Sequence, residues 1–498
     1  MTAARSDDDD MAALVKGGRT NVIGFVLRLA ARIPFLFIAG RLYGPEALGR
    51  FAYAILIVEF VAQLATMGLR RGLAELLARD DRPHSHMVAD GLLIGIIASA
   101  LGAGLLIAVP QIMFPNSTIN GLDRFLPLMI FAIMATDIAL AALAYRFDVV
   151  SAVRARAVVE PWTISIAAGA LYFYSARDGL ILAYVASLLS ALLVALWPLW
   201  RSYGLPKGWQ PSPRELAALA RRNLPLAAAD AADWSSRRLD LAILGLFASP
   251  AVVGVYYVAQ QVASLPQKLK TSFDPILGPV ITRNLQTKNY GEIARQVGQV
   301  GFWIIAAQAG IALALGMPGE AVMGLIGPQF VGGTGALAFL LMAEVAAAPA
   351  VVSEAALVYM ARHRNFLISL AMLALQAVLS VGLIYAVDVL PVKDSVRGLY
   401  QAAAVACGLM LALAVGSFVK GRFLSTLLDD QFSVWRGALV WAAVAGATVG
   451  TIILGLPPRF EWLELLLGIP AVLGIYCWII WRWGFGPDDR VLFAKSRS

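Results

Sequence analysis

Arg28 and Arg32 stand four residues apart inside the apolar run NVIGFVLRLAARIPFLFIAG, and the next apolar run carries Glu59 and Gln63 at the same spacing. On a helix that interval puts each pair on one face. A charge at membrane depth costs about 2.5–3.5 kcal/mol on insertion scales, so it should face protein or a wet cavity rather than lipid. A third cluster lies in NLPLAAADAADWSSRRLDLAILGLF, which holds Asp230, Asp233, Arg237, Arg238 and Asp240. Asp233 and Arg237 are spaced for an intrahelical ion pair, and Arg237 is open to either that role or ligand contact. Arg28 and Arg32 have no carboxylate at helical spacing on their own run, and Glu59 could neutralise one of them but hardly both. Guanidinium groups facing a cavity suit a phosphate or diphosphate, through charge-assisted, bidentate hydrogen bonds. The candidate substrate-binding residues are therefore Arg28, Arg32, Arg237, Arg238, Glu59, Gln63, Asp233 and Asp240, with Tyr53, Gln63 and Trp234 as candidates for headgroup recognition.

Other chemistry finds little support. No HExxH, paired CxxC, GxSxG or phosphate-binding loop motif is present, so no catalytic residue is assigned. His84, His86 and His363 fall in polar connections beside arginines, and Cys407 and Cys477 fall inside apolar runs as small hydrophobes. No metal site, disulfide framework or cofactor is expected. Asp137, Glu160, Glu344 and Glu354 lie in or near apolar runs and read as helix-packing or interfacial groups.

The elements that must position the charges are membrane spans. Of 498 residues, 59% are hydrophobic and 14% charged, with a mean hydropathy of +0.74. A soluble domain carries about 25% charged residues. Apolar runs broken by basic connections give fourteen expected spans, near 20–40, 47–69, 88–109, 123–145, 157–175, 179–200, 220–248, 251–271, 296–317, 333–359, 365–387, 397–418, 436–455 and 461–482. Their length excludes a β-barrel, whose strands alternate over about ten residues. The acidic stretch Asp7–Asp10 and a first run long enough to span argue against a cleavable signal peptide. Alternate connections hold 29 of the 40 Lys and Arg, against 7 on the other side. That asymmetry places both termini in the cytoplasm. It also accounts for the net charge of +8 without nucleic acid. The far-side connections are short, such as VPQIMFPNSTING, which disfavours an integral membrane glycosyltransferase or polymerase.

The chain carries an internal repeat. Shifted by 205 residues, IAGRLYGPEALGRFAYA (38–54) lies against ILGLFASPAVVGVYYVA (243–259), matching Ile38 with Ile243, Gly40 with Gly245, Pro45 with Pro250, Gly49 with Gly254 and Ala54 with Ala259. In this register Arg32 falls on Arg237. Shared Pro and Gly spacing predicts one tight turn used twice. Six spans between copies make the repeat parallel, with a site expected between the halves. The expected domains are 1–205 (spans one to six), 206–432 (spans seven to twelve) and 433–498 (two added spans and a cytoplasmic tail). A cavity lined by arginines from spans one and seven would hold an anionic headgroup while the apolar remainder of the substrate stays in lipid.

RLYGPEALGRFAYA, RRLDLAILGLFASPAVVGVYYVAQQVASLP and LIGPQFVGGTGALAFLLMA resemble the Wzx-type polysaccharide-biosynthesis flippases of the multidrug/oligosaccharidyl-lipid/polysaccharide exporter superfamily. The MurJ lipid II flippases are similar in having fourteen spans and arginines on the first helix, where Arg28 and Arg32 stand. The resemblance implies an all-α polytopic membrane protein with two six-helix bundles around a central cationic cavity. It also implies movement of undecaprenyl-diphosphate-linked oligosaccharide from the cytoplasmic to the periplasmic leaflet of the bacterial inner membrane, without enzymatic activity. Polysaccharide polymerase and export proteins are then candidate partners, alongside membrane lipids. An ion-coupled multidrug exporter of the same superfamily is the alternative.

Overall fold

The computed structural model describes residues 30, 33–78, 82–270, 281–430, 433–455, 464–486 and 489, and among these the regular structure is helical, with no strand. The main helices are α1 Gly44–Ala65, α2 Leu69–Leu77, α3 His84–Ala108, α4 Met129–Tyr145, α5 Glu160–Tyr172, α6 Gly179–Tyr203, α7 Pro213–Ser236 and α8 Leu239–Phe247. They continue with α9 Pro250–Lys270, α10 Tyr290–Gly316, α11 Gly319–Ile326, α12 Thr334–Met360, α13 Arg362–Val389, α14 Asp394–Leu428, α15 Gly437–Leu454 and α16 Ile469–Ile479. Among the described residues, ten helical segments are long and apolar enough to cross a membrane. The protein is an all-α, multi-pass membrane protein. Of the fourteen expected spans, the first lies largely outside the described residues. Those near 157–175, 220–248 and 251–271 are helical but are not among these ten.

Proline explains much of the irregularity. Three π-helical turns, Ala39–Tyr43, Arg154–Val159 and Glu464–Gly468, each end two residues before a proline: Pro45, Pro161 and Pro470. A proline offers no N–H to the carbonyl four residues back, and its ring crowds that carbonyl. Widening the turn to i→i+5 bonding accommodates both problems.

The expected repeated turn is present in both copies. Gly44 takes φ 76°, a left-handed value that suits glycine, and Pro45 follows it in the first turn of α1. At the matching position α8 ends at Phe247, and α9 begins on Pro250. The two turns also touch. A Cβ added to Gly49 would overlap the carbonyl oxygen of Pro250, and one added to Gly254 would overlap the carbonyl oxygen of Pro45. Each glycine of the repeat thus makes room for the proline carbonyl of the other copy.

The described chain divides into two compact units. The first runs to Arg238 and includes Ser249–Gly254; the second comprises Leu239–Ala248 and the residues from Val255 onward. In the first unit, α7 is fastened along α2 by ion pairs of Arg71 with Asp230 (2.9 Å) and of Arg222 with Glu75. The connection before α7 is pinned where the Trp209 indole donates to the buried Asp90 carboxylate, at 2.9 Å. In the second unit, Phe302 and Ile305 of α10, Val352 of α12, Leu424 of α14, Ala442 of α15 and Tyr476 of α16 share one core. Asp489 closes that unit by accepting from Arg436 (2.5 Å), the Gly486 amide (2.8 Å) and the Trp303 indole (2.9 Å). Arg436 also lies 4.0 Å from the centroid of Phe302. Burial pushes the Asp489 carboxyl up, but these hydrogen bonds outweigh it and hold the group below the usual carboxylate range.

Candidate anion site in the first unit

The expected seventh span is one run in the sequence and two helices in the structure. Ser236 turns its hydroxyl onto the Asp233 carbonyl (2.8 Å), and the amides of Arg237 and Arg238 bond three residues back, to Trp234 (3.3 Å) and Ser235 (3.0 Å). Side-chain competition for the backbone and tightened i→i−3 bonding end α7 there. Arg237 and Arg238 therefore sit at a break, side by side, rather than in the middle of a helix.

Both arginines are partnered. Arg237 meets Asp233 at 3.3 Å, the intrahelical pair that the spacing allowed, with side chains 60% and 49% exposed. Arg238 meets Glu59 of α1 at 3.1 Å, with side chains 38% and 28% exposed. Among the described residues Glu59 pairs with Arg238, and it also accepts a long hydrogen bond from the Tyr184 hydroxyl (3.4 Å). The Arg238 guanidinium lies 5.3 Å from the Trp234 ring centroid, and Trp234 packs on Phe60, one residue beyond Glu59. Exposed ion pairs of this kind contribute only about 0–1 kcal/mol, so both guanidiniums can exchange their partners at little cost.

Two other arginines of the first unit, Arg156 and Arg50, are held more firmly. Arg156 lies in the π turn before Pro161. It is bonded to Asp137 of α4 and, at 2.6 Å, to Glu160 of α5. Arg50 is 8% exposed, paired with the fully buried Asp123, and 4.6 Å from the Phe114 centroid. Removing one partner of such a buried pair leaves an uncompensated charge, which costs about 3–5 kcal/mol. These arginines hold helices together. Arg237 and Arg238 sit in more exposed pairs than these.

The remaining candidates separate. Gln63 is buried, its carboxamide oxygen 3.4 Å from Arg70. Asp240 belongs to the second unit, where it is buried and accepts from Tyr256 (2.6 Å) and Gln260 (2.9 Å). Tyr53 is buried in α1. Arg28 and Arg32 lie outside the described residues, so the register match of Arg32 with Arg237 stays a property of the sequence. Sequence reasoning missed Tyr184 and the Arg156 bridge. The interval from Arg156 to Glu160, followed by Pro161, was a readable signal for half of that bridge, whereas Asp137 comes from a different helix. Among the described residues no group of three or more His, Cys, Asp or Glu is arranged to hold a metal ion.

The family described as "Polysaccharide biosynthesis protein" matches residues 38–300, over half of the chain, and the protein belongs to that family. No curated protein matches the sequence. Among solved structures the chain is similar to the lipid II flippase MurJ in an inward closed conformation. The TM-score is 0.69 at 12% identity, covering 93% of this chain and 99% of that one. It is also similar to an outward-facing multidrug resistance MATE family transporter, with a TM-score of 0.54 at 18% identity over 83% and 96% of the two chains. A MOP superfamily transporter from Pyrococcus furiosus, whose binding pocket is described as having reverse polarity, gives 0.53 at 17% identity over 83% and 96%. At these identities the likeness is one of fold. The fold is the one those flippase and transporter structures have.

Proposed function

We propose that this protein is a flippase for a polyprenyl-diphosphate-linked oligosaccharide, moving it from the cytoplasmic to the periplasmic leaflet by alternating access in surface or exopolysaccharide biosynthesis. The observation that carries this reading is the pair Arg237 and Arg238, each in a weak, accessible ion pair and the second set over an indole. Guanidinium groups engage phosphoryl oxygens in a planar, bidentate manner, and an indole offers an apolar face to a sugar. Membership of the polysaccharide biosynthesis family supports a glycan as the cargo. We assign Arg32 to the same site on residue type and repeat register, and Arg28 on residue type and its four-residue spacing from Arg32. The working lobes are 1–205 and 206–432, with 433–498 as an addition and both termini in the cytoplasm of the bacterial inner membrane.

The multidrug alternative requires a site that attracts cationic compounds. Among the described candidates, Asp233 and Glu59 are already matched to arginines. A display assay separates the two readings. In cells dependent on this protein for surface glycan, the double variant Arg237→Ala/Arg238→Ala at wild-type abundance should lose most display, and lipid-linked precursor should accumulate. Intact display together with reduced drug efflux would replace the flippase reading with the exporter.

A further inference from the structure

Helix α12 of the second unit contains Pro349, which offers no N–H to the Val345 carbonyl and crowds it with its ring. Two serines act on the same stretch. The Ser417 hydroxyl of α14 accepts from the Ala350 amide (3.1 Å) and donates to the Ala346 carbonyl, so it is bonded to both partners of one helical rung. The buried Ser353 hydroxyl donates to the Pro349 carbonyl at 2.8 Å. A side chain inserted in the ladder bends a helix, and so does a serine that bonds back four residues. All three features fall between Val345 and Ser353, so one short stretch of α12 is weaker than the rest.

The segment beyond it, 350–360, is tied to its neighbours. Lys420 stands three residues after Ser417, on the same face of α14. It is buried, and it donates to Glu354 of α12 at 2.9 Å and to Ser369 of α13 at 3.0 Å. The Ser417 and Lys420 contacts thus lie about one turn apart on both helices. Helices α13 and α14 also approach closely. A Cβ added to Gly408 would stand 2.8 Å from the Ser380 amide nitrogen, and one added to Gly416 would stand 2.5 Å from the end of the Met372 side chain.

We infer that α12 is a jointed helix that flexes at Pro349, with segment 350–360 moving with α13 and α14 as one body. A hydroxyl both donates and accepts and rotates to suit. Through Ser417 the turn therefore lengthens without leaving the Ala350 amide or the Ala346 carbonyl unbonded. Lys420 decides which parts stay together. A buried ammonium does not leave its carboxylate cheaply, so the pivot falls at the proline rather than between α12 and α14. The joint does not depend on the cargo, and the flippase reading enters only through the display arm of the test.

The test uses the full-length protein in lipid nanodiscs, with Cys407→Ala and Cys477→Ala as background. Spin labels are placed through Tyr359→Cys on α12 and Tyr290→Cys on α10, both exposed positions. Pulsed paramagnetic resonance should give more than one distance for this pair, whereas Tyr359→Cys with Arg422→Cys on α14 should give a single one. Pro349→Ala/Ser417→Ala, which restores an uninterrupted ladder, should collapse the first pair to one distance and leave the melting temperature near that of the parent. In cells that depend on the protein for surface glycan, the same double variant should lower display about tenfold or more at wild-type abundance, because a hinge absorbs the backbone change of a closure step. A single distance for the first pair in the parent, several for the second, or wild-type display by the double variant overturns the inference. If the double variant does not fold, Ser417→Ala alone should narrow the first distribution, and no change there overturns the inference as well. If the distances behave as expected but deleting the protein leaves display intact, the joint stands and the flippase reading is overturned.

Discussion

At the scale of residues, burial separates Arg156 and Arg50, held against buried or half-buried carboxylates, from Arg237 and Arg238 in exposed ion pairs. Arg156→Ala would leave Asp137 and Glu160 facing each other without a cation, and is expected to destabilise by about 3 kcal/mol or more. Arg237→Ala removes a pair exposed on both sides and should shift stability by less than about 1 kcal/mol. Thermal unfolding in detergent distinguishes the two, and equal losses would contradict the sorting. Asp489 gives a separate expectation in acid. Its carboxyl sits below the ordinary value of about 3.9. The stability it contributes is therefore complete above that pH and is lost as the pH falls through its still lower folded value. Trp303 fluorescence should report loosening of the second unit below about pH 4. Asp489→Asn should be less stable at neutral pH and should lack that acid step.

At the scale of elements, the sequence was informative wherever a residue acts on its own backbone. Gly44 followed by Pro45 announced the turn, Pro250 announced its copy, and the intervals of the apolar runs placed the helices. It was less informative where two elements meet. Nothing in the run around Arg237 indicates that a serine hydroxyl and two shortened amide bonds break the helix there, because the run is continuous in hydropathy. Nor does spacing assign Glu59 to Arg238, 179 positions away. The prolines that follow the π turns were visible, yet their effect on the preceding turn depends on how the helix relieves the missing bond. Gly49→Ala or Gly254→Ala should each impair folding and abundance strongly, since the added Cβ meets a carbonyl of the main chain that has no rotamer to adopt. Folding of either variant at wild-type yield and melting temperature would show that this contact is not required.

At the scale of the whole molecule, composition alone dictated a chain that lives in a bilayer, and the ten apolar helices of membrane-crossing length agree with it. The three expected spans that are helical but not among these ten include the two that carry the most polar features: the Arg156 π turn with α5, and the pair α7 and α8. Membrane proteins keep such irregular, charged backbone where it is covered by protein or lines a wet cavity. The distribution of basic residues makes an orientation prediction that does not depend on the site. Reporter fusions after residue 205 and at the C-terminus should both report cytoplasm, and a periplasmic signal at either would invalidate the fourteen-span arrangement.

The reciprocal glycines also bear on how such a chain can change over generations. Most packing conflicts in a protein core can be relieved by a second substitution, because a larger side chain on one element is answered by a smaller one opposite. Here each intruding atom would strike not a side chain but the carbonyl of a proline, and the partner position is itself already the smallest residue. No compensating change exists within the pair. A library that randomises Gly49 and Gly254 together should recover glycine at both and no coupled alternatives. The two halves of the repeat, free to drift almost everywhere else, would then remain bound at these two positions to a shared history.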